Sequence, residues 1–357
     1  MSRETVVVAL SGGVDSSITA YILKEQGYNV TGVHMTLFED GILSEASDVS
    51  SIQKIEHEVR EFCRNISIEF QLLDLRQEFK RYVIDYFVSE YINGRTPNPC
   101  IACNRYIKFS FIFDKLQKNN IKFDYLATGH YASVKVYDSS YHLMSARDKS
   151  KDQSYFLYHL DQEKLAKIMF PLADYSKKEV ETIATGKGFS QSIKISSQDI
   201  CFIKNRYAEF LERFIQPIPG DIIDIDGNII GRHKGITHYT IGQRYGLGIV
   251  SSGRLYVNQI DHGTNRIVVG PEENLFHKAL IATDLHWISG QIPDKVGDVE
   301  VKIRYGMAKV PAQMMVRKNS AYVVFKKEQK AITPGQSVVF YHQGEILGGG
   351  IIENHAE

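Results

Sequence analysis

Ser11-Gly12-Gly13-Val14-Asp15-Ser16-Ser17 stands between an apolar, β-branched run, Thr5 to Leu10, and a stretch of helical periodicity, Ser16 to Gln26, that ends before Gly27. The order is strand, tight glycine turn, helix. Two glycines let the backbone approach a ligand closely and leave several N–H groups pointing outward at the positive end of a helix, which makes a phosphate cradle. The Gly-Lys-[Ser/Thr] of a Walker loop is absent, so γ-phosphate transfer is not the natural expectation. Asp15 beside phosphates is repulsive unless Mg²⁺ bridges them or the carboxylate caps the helix. An ordinary glycine turn with Ser and Asp capping is the alternative reading.

Three more apolar segments, Asn29 to His34, Ile68 to Leu73 and Tyr125 to Thr128, read as buried strands separated by helical stretches. The alternation predicts an α/β fold with a doubly wound, mostly parallel sheet. Its ligand should lie at the carboxyl ends of the strands, where Ser11, Met35, Asp74 and Gly129 fall. After about residue 205 the character changes: Pro217-Ile218-Pro219-Gly220 breaks the chain and short β-rich segments follow. From Ala279 onward, Val299 to Tyr305, Ala321 to Phe325 and Ser337 to Tyr341 are spaced like strands of a small antiparallel β-barrel. The expected division is 1–205 for the nucleotide domain, 206–278 for a small central domain and 279–357 for the barrel.

The 357 residues carry 42 Lys+Arg against 42 Asp+Glu, so any nucleic-acid contact must use local basic patches. Residues 301–320 are one candidate: Lys302, Arg304, Lys309, Arg317 and Lys318 occur there without an acidic residue, and Tyr305 can stack on a base. A solvated barrel face is the plainer reading of that run. Val6 to Leu10 is too short for a signal-peptide core and no apolar stretch is long enough to span a bilayer, so a cytoplasmic chain with no membrane contact is expected. Four cysteines, Cys63, Cys100, Cys103 and Cys201, are too few and scattered for a disulfide-stapled scaffold. Cys63 sits in an apolar helical pattern and reads as a small core residue.

The loop Gly94-Arg95-Thr96-Pro97-Asn98-Pro99-Cys100-Ile101-Ala102-Cys103 is stiffened by two prolines and leads to a helix expected over 104–120. Cys103 at the helix start, with Arg105 and Lys108 nearby, is a candidate thiolate nucleophile, because a helix N-terminus and nearby cations lower a thiol pKa. Cys201 lies in a polar turn, 196–202, suited to an accessible sulfur carrier. Zinc binding by Cys100 and Cys103 competes with this reading, but a structural site needs two further ligands and no second close pair exists.

The segment Ala9 to Ser16 resembles the pyrophosphate loop of the ATP-pyrophosphatase superfamily, whose members cleave ATP between the α and β phosphates. The cysteine segments narrow the resemblance. GRTPNPC at 94–100, CNRYIKF at 103–109, ATGHYA at 127–132, KSKDQSYFL at 149–157, FPLADYSKKEV at 170–180, SQDICFI at 197–203, GITHYTIGQRYGLGI at 235–249 and TPGQSVVFY at 333–341 resemble the bacterial tRNA-specific 2-thiouridylase (MnmA-type) family over nearly the whole chain.

The resemblance implies ATP binding by Ala9, Leu10, Ser11, Gly12, Gly13, Val14, Asp15, Ser16, Met35 and Gly129. It places Asn98, Pro99 and Cys100 at the target base, Cys103 as nucleophile and Cys201 as persulfide carrier, with a transient disulfide between the two cysteines. His130, Lys151, Asp152, Gln153, Arg304, Tyr305 and Gln336 would touch tRNA. ATP with Mg²⁺, held in part through Asp15 rather than by a protein-only metal site, would be the only cofactor. A cysteine desulfurase or sulfur-relay protein would be the donor, the wobble uridine of tRNAs for Lys, Glu and Gln the target, and the protein a monomer.

Three positions depart from the family pattern. Cys100 stands where many relatives carry Asp, Thr36-Leu37-Phe38-Glu39-Asp40 follows Met35 in place of Lys-Asn-Trp and acidic residues, and Ile195-Ser196-Ser197 replaces Lys-Asp-Ser before Cys201. Two other functions share some of these features. Another adenylating enzyme of the superfamily would need neither Cys103 nor Cys201, and a non-catalytic tRNA-binding protein would not need the Ser11 to Ser16 loop.

Overall fold

The computed structural model describes residues 3–38, 47–189, 200–203, 206–251, 253–292 and 297–356. The departures at Glu39-Asp40 and Ile195-Ser196-Ser197 lie outside the described residues.

The first sheet contains β1 (Thr5–Ala9), β2 (Asn29–Thr36), β3 (Glu69–Asp74) and β4 (Tyr125–Ala127). A hairpin, β5 (Ala132–Tyr137) and β6 (Ser140–Ser145), follows, and then β7 (Ile168–Met169). Among the described residues the sheet runs β3-β2-β1-β4-β7 with every pairing parallel. Its central strand is buried on both faces, as a sheet covered by helices requires. Val6 and Val8 point into a cluster with Ile18, Leu23, Val59 and Phe62, from helices Val14–Glu25 and Ser47–Asn65. Val7 and Ala9 point into a second cluster with Ile112, Leu116 and Tyr155. This two-residue alternation sends one strand's side chains to two cores. The two-residue strand Ile168–Met169 has no periodicity to read and was not expected.

The central segment forms a separate sheet from β8 (Gly220–Ile223), β9 (Ile229–His233), β10 (Tyr256–Asp261) and β11 (Arg266–Gly270), in the order β10-β11-β8-β9. Ile222, Val257, Ile267 and Val269 make its core with Ile236 and Tyr239.

The C-terminal strands are β12 (Phe276–Trp287), β13 (Asp298–Lys302), β14 (Val310–Arg317), β15 (Ser320–Lys330), β16 (Ser337–His342) and β17 (Glu345–Ala356). They pair in the order β12-β15-β14-β13-β16-β17, and β17 pairs back onto β12, closing an antiparallel barrel. The barrel is joined to the first domain. Glu345 of β17 pairs with Met144 of β6, Ser145 N donates to Gly344 O at 2.9 Å, and Val339, Tyr341 and Ile346 share a core with Tyr155 and Tyr158.

Candidate active site

The glycine loop lies where the parallel sheet opens. Leu10 N donates to Val33 O at 2.7 Å, so β1 keeps its neighbour up to the turn. Gly12 then takes φ +80°, in the left-handed region that favours glycine. The loop hydroxyls brace the turn from inside: Ser16 Oγ and Ser17 Oγ donate to Gly13 O at 3.0 and 3.1 Å, and Ser11 N donates to Ser16 Oγ at 3.2 Å. The helix N-cap is Gly13, which offers no side-chain cap bond. The alternative of a turn capped by Ser or Asp is therefore not what the chain adopts, and the first N–H groups of the helix are left for a ligand.

Gly129 closes the other side. A Cβ there would sit 2.8 Å from both Asp15 C and Ser16 N, so the loop after β4 touches the backbone of the helix start. Met35, at the end of β2, packs against both the sheet core and the cluster that holds Cys103. Glycines, hydroxyls and uncapped N–H groups thus meet at the carboxyl end of β1.

Asp15 has partners that the sequence did not announce. Its Oδ1 accepts from Lys177 Nζ at 2.7 Å and from Tyr131 Oη at 2.9 Å. The capping alternative is corrected: the N-cap is Gly13 with no side-chain cap bond, and an ammonium and a phenol hold the Asp15 carboxylate. Lys177 opens the helix Lys177–Gly186 behind a Ser176–Glu179 capping box, and that Ser-x-x-Glu pattern was the available signal for its position. Among the described residues no group of three or more His, Cys, Asp or Glu is arranged to hold a metal ion. Removing the ammonium in Lys177→Met is expected to raise the ATP concentration for half-maximal turnover about tenfold, the value of one charge-assisted hydrogen bond. Steady-state kinetics with varied ATP checks it, and an unchanged value would contradict a part for the Lys177–Asp15 pair in nucleotide binding.

The cysteine loop is clamped by the barrel. Arg95 bonds to Glu90 at 2.8 Å and to Glu353 at 3.1 Å. Thr96 N donates to Pro334 O at 2.8 Å, and the Gln336 amide donates to Thr96 O at 2.8 Å and Pro97 O at 3.3 Å. Gly335, at φ +89°, lies so close that a Cβ would meet three Thr96 backbone atoms at 2.9 to 3.0 Å. Gly335→Ala is expected to cost about 1–3 kcal/mol of stability through strain and overpacking, read as a lowered midpoint in thermal unfolding.

Asn98 caps the helix that follows, its side chain accepting from Cys100 N at 3.1 Å and Ile101 N at 3.4 Å, with Pro99 at the first helical position. The helix thus starts at Pro99, not at Asn104 as the sequence reading had it. It runs through a wide, π-helical stretch, Cys103–Phe111, into Ile112–Lys118. Wide turns of this kind recur at functional sites.

Cys103 therefore lies one turn inside the helix and is only 8% exposed. Burial pushes its thiol pKa up, and the Lys108 ammonium offsets this only in part. The expected depressed pKa is corrected for the free protein: the helix start is occupied by Cys100, and Arg105 is engaged by Asp284 at 2.7 Å. Cys201 presents surface to solvent. Its thiol pKa is nonetheless raised, first by the crowding of its sulfur and then by repulsion from Cys103 and Cys100. The residue surface decides what a donor can reach; the crowded sulfur decides its charge. Phe202 and Cys103 belong to one apolar cluster, which places the Cys201 turn beside the cysteine loop. Cys63 is fully buried, its pKa pushed up to about 11, as a core residue.

Raised pKa values leave these thiols protonated at neutral pH, so the thiolate fraction grows with pH. Iodoacetamide alkylation of Cys201 is expected to rise about tenfold per pH unit between pH 7 and 9. A rate flat over that range, followed by mass spectrometry, would contradict it.

His130, next to Gly129, bonds through Nδ1 with Thr128 Oγ1 at 2.8 Å and lies between Phe109 and Phe170. Burial, with repulsion from Lys108, holds its pKa well below the usual histidine value, so the ring is neutral. Lys108 thus acts on Cys103, Cys201 and His130 together, and ties the cysteine site to the end of β4.

The expected tRNA contacts divide. Lys151 is exposed, and Tyr305, 36% exposed, packs tilted by 39° on Phe156 with ring centres 4.3 Å apart. Asp152 is buried and accepts from Ala146 N, Ser154 N and Ser154 Oγ, while the Gln153 side chain accepts from Tyr131 N. Arg304 donates to Thr333 Oγ1 at 2.6 Å, and Gln336 is 8% exposed. Asp152 and Gln336 are buried and bond to neighbouring backbone groups, which shapes the loops around them. The basic run also splits. Lys302 and Lys309 lie at the domain junction, Lys309 3.8 Å above the Tyr341 ring, whereas Arg317 and Lys318 lie at the far end of β14, about 24 Å away along an extended strand.

Three family models match the chain in order: a tRNA methyl transferase HUP domain over residues 4–205, a tRNA methyl transferase PRC-barrel domain over 208–271 and an aminomethyltransferase β-barrel domain over 277–352. The tRNA-specific 2-thiouridylase MnmA of Clostridium perfringens is 42% identical over 99% of both chains. The chain belongs to the tRNA-specific 2-thiouridylase family. The Halothermothrix orenii member is 44% identical over 99% of both chains, and that of Geobacter metallireducens 42% identical over 99% of this chain and 97% of its own. Family membership thus extends through all three regions, including the clamp between barrel and cysteine loop.

Proposed function

We propose that this chain converts a tRNA uridine to 2-thiouridine at the expense of ATP, with Cys201 as sulfur carrier and Cys103 as its partner. The meeting of Cys103 with the turn that holds Cys201, whose neighbours Ile200 and Phe202 share the Cys103 cluster, carries the reading. A uridine C2 carbonyl is a poor electrophile, since its oxygen leaves badly. Adenylation of that oxygen at the α-phosphate releases pyrophosphate into the Ser11 to Ser16 cradle, whose N–H groups, with Mg²⁺ brought by ATP, hold the leaving charge. The base must be extruded from its stack to reach the loop around Asn98, Pro99 and Cys100. The terminal sulfur of a Cys201 persulfide attacks C2 and AMP leaves; Cys103 attacks the Cys201 sulfur, the S–S bond breaks, and the terminal sulfur stays on C2. A Cys103–Cys201 disulfide is left behind.

The exposed surface of Cys201 supports loading by a cysteine desulfurase or a relay protein, and the inventory of Lys151, Arg304 and Tyr305 with neutral His130 supports a tRNA face at the domain junction. We place the reaction in the cytoplasm, with the protein acting as a monomer. The family-model wording of methyl transfer names a different chemistry, and methylation would need neither cysteine. Another adenylating activity would also leave both cysteines without a task.

The test is the fate of ATP with unmodified tRNA and a loaded sulfur donor. AMP and pyrophosphate in equal amounts, dependent on tRNA, are expected; ADP and phosphate would overturn cleavage at the α-phosphate.

A further inference from the structure

The thiolation reading leaves a question that the third thiol answers: how Cys201 is returned to its reduced form once it is bonded to the buried Cys103. We propose that Cys100 resolves that disulfide by pairing with Cys103, so that a disulfide within the cysteine loop is the form from which the enzyme is reduced. The resolving role rests on the sulfur-transfer reading above; the preferred pairing of Cys100 with Cys103 rests on geometry alone.

Cys100 lies in the first turn of a helical run that starts at Pro99 and continues to Lys118. Cys103 is one turn on, and its N–H bonds to the carbonyl of Cys100 as well as that of Pro99. A bond to the third residue back tightens the turn toward 3₁₀ geometry, in which side chains three apart eclipse. Their Cα atoms, about 5 Å apart from helix rise and radius, fall inside the disulfide range. No large loop must close to join them, whereas the Cys201 turn has to be held against the loop by tertiary packing alone. None of these cysteines is in a disulfide in the structure.

Exposure assigns the direction. Cys100 is half-buried, Cys103 buried. An external reductant cannot approach Cys103, and the Cys201 sulfur is crowded although its residue reaches the surface, so the half-buried Cys100 is the entry point. The Cys100 thiolate attacks the Cys103 sulfur, the Cys103–Cys201 bond breaks, and Cys201 leaves as a thiolate that takes a proton; exchange involves no net oxidation. An external dithiol then attacks the Cys100 sulfur and supplies two electrons, freeing Cys103 and forming its own disulfide. Cys201 meanwhile stands free at the surface for the next sulfur. An acidic residue at position 100 could not perform the exchange, so the departure from the family pattern becomes a difference in how the enzyme is recycled.

Trypsin reads the pairing directly. Cleavage after Arg95 and Arg105 puts Cys100 and Cys103 on one peptide, and cleavage after Lys194 and Lys204 puts Cys201 on another. The full-length protein is oxidised with one equivalent of diamide, alkylated with iodoacetamide, digested and weighed. The expected wild-type product is the Cys100/Cys103 peptide two hydrogens lighter and unalkylated, with Cys201 alkylated; Cys201→Ser should give the same peptide, and Cys100→Ser a cross-link between the two peptides. A wild-type protein that accumulates the cross-link, with Cys100 alkylated, would overturn the proposal, as would an unoxidised loop peptide in both wild type and Cys201→Ser. Thiolation is assayed in parallel: the lighter peptide without any 2-thiouridine would sink the thiolation reading and leave the pairing intact.

Discussion

Gly129→Ala is expected to weaken ATP binding by tenfold or more while costing about 1–3 kcal/mol of stability, the usual range for overpacking a tight site. The added methyl would lie 2.8 Å from two backbone atoms at the start of the helix after the glycine loop, and 3.1 Å from a third. Backbone cannot swing away as a side chain does. Either the helix start or the loop after β4 must move, and both belong to the cradle. The helix is fixed from behind by Ile18 and Leu23 in the core, and the loop by the Thr128–His130 bond. Calorimetric titration with a non-hydrolysable ATP analogue, beside thermal unfolding, separates the two effects. Unchanged affinity in a folded variant would remove Gly129 from the nucleotide site.

The second large effect is expected at Cys103. Cys103→Ser should lower 2-thiouridine formation on the order of 1,000-fold or more, since a serine hydroxyl cannot take over a sulfur–sulfur bond and removal of a nucleophile costs at least that much. ATP affinity should stay as in the wild type, because the cysteine faces the Phe79–Phe202 cluster rather than the glycine loop. Single-turnover assays with a pre-formed Cys201 persulfide give the cleanest reading. Retention of more than a tenth of the wild-type rate would assign release of sulfur to another group.

The glycine loop was legible because it follows an unbroken apolar run, β1, and β4 reads the same way; β2 and β3 mix polar residues into the run, and β3, at the sheet edge, is largely exposed where a buried strand was expected. Ile168–Met169 was not legible, since two residues show no period. The helix over the cysteine loop was placed five residues late although its signal was present: Asn98 and Pro99 are a side-chain cap followed by proline at the first helical position. Reading that pair would have put Cys100, rather than Cys103, at the helix start. The pairing of Asp15 with Lys177 and Tyr131 joins residues distant in sequence, and nothing local to any of them announces it. Asp152 and Gln336 look like surface polar residues in sequence but satisfy buried backbone groups, which only the packed chain reveals. The basic run 301–320 failed for a geometric reason: a strand carries its two ends apart as fast as the chain extends. The meeting of Cys103 with the Cys201 turn came from family resemblance, and the shared apolar cluster supplies its physical basis.

Transfer of sulfur from Cys201 to C2 of a tRNA uridine is tested most directly in a reconstituted reaction. Purified protein is incubated with ATP, Mg²⁺, cysteine, a cysteine desulfurase and unmodified tRNA, and 2-thiouridine is quantified by nucleoside mass spectrometry beside a Cys201→Ser control. Product from the wild type and none from the variant is the predicted result; equal product from both would contradict the persulfide route.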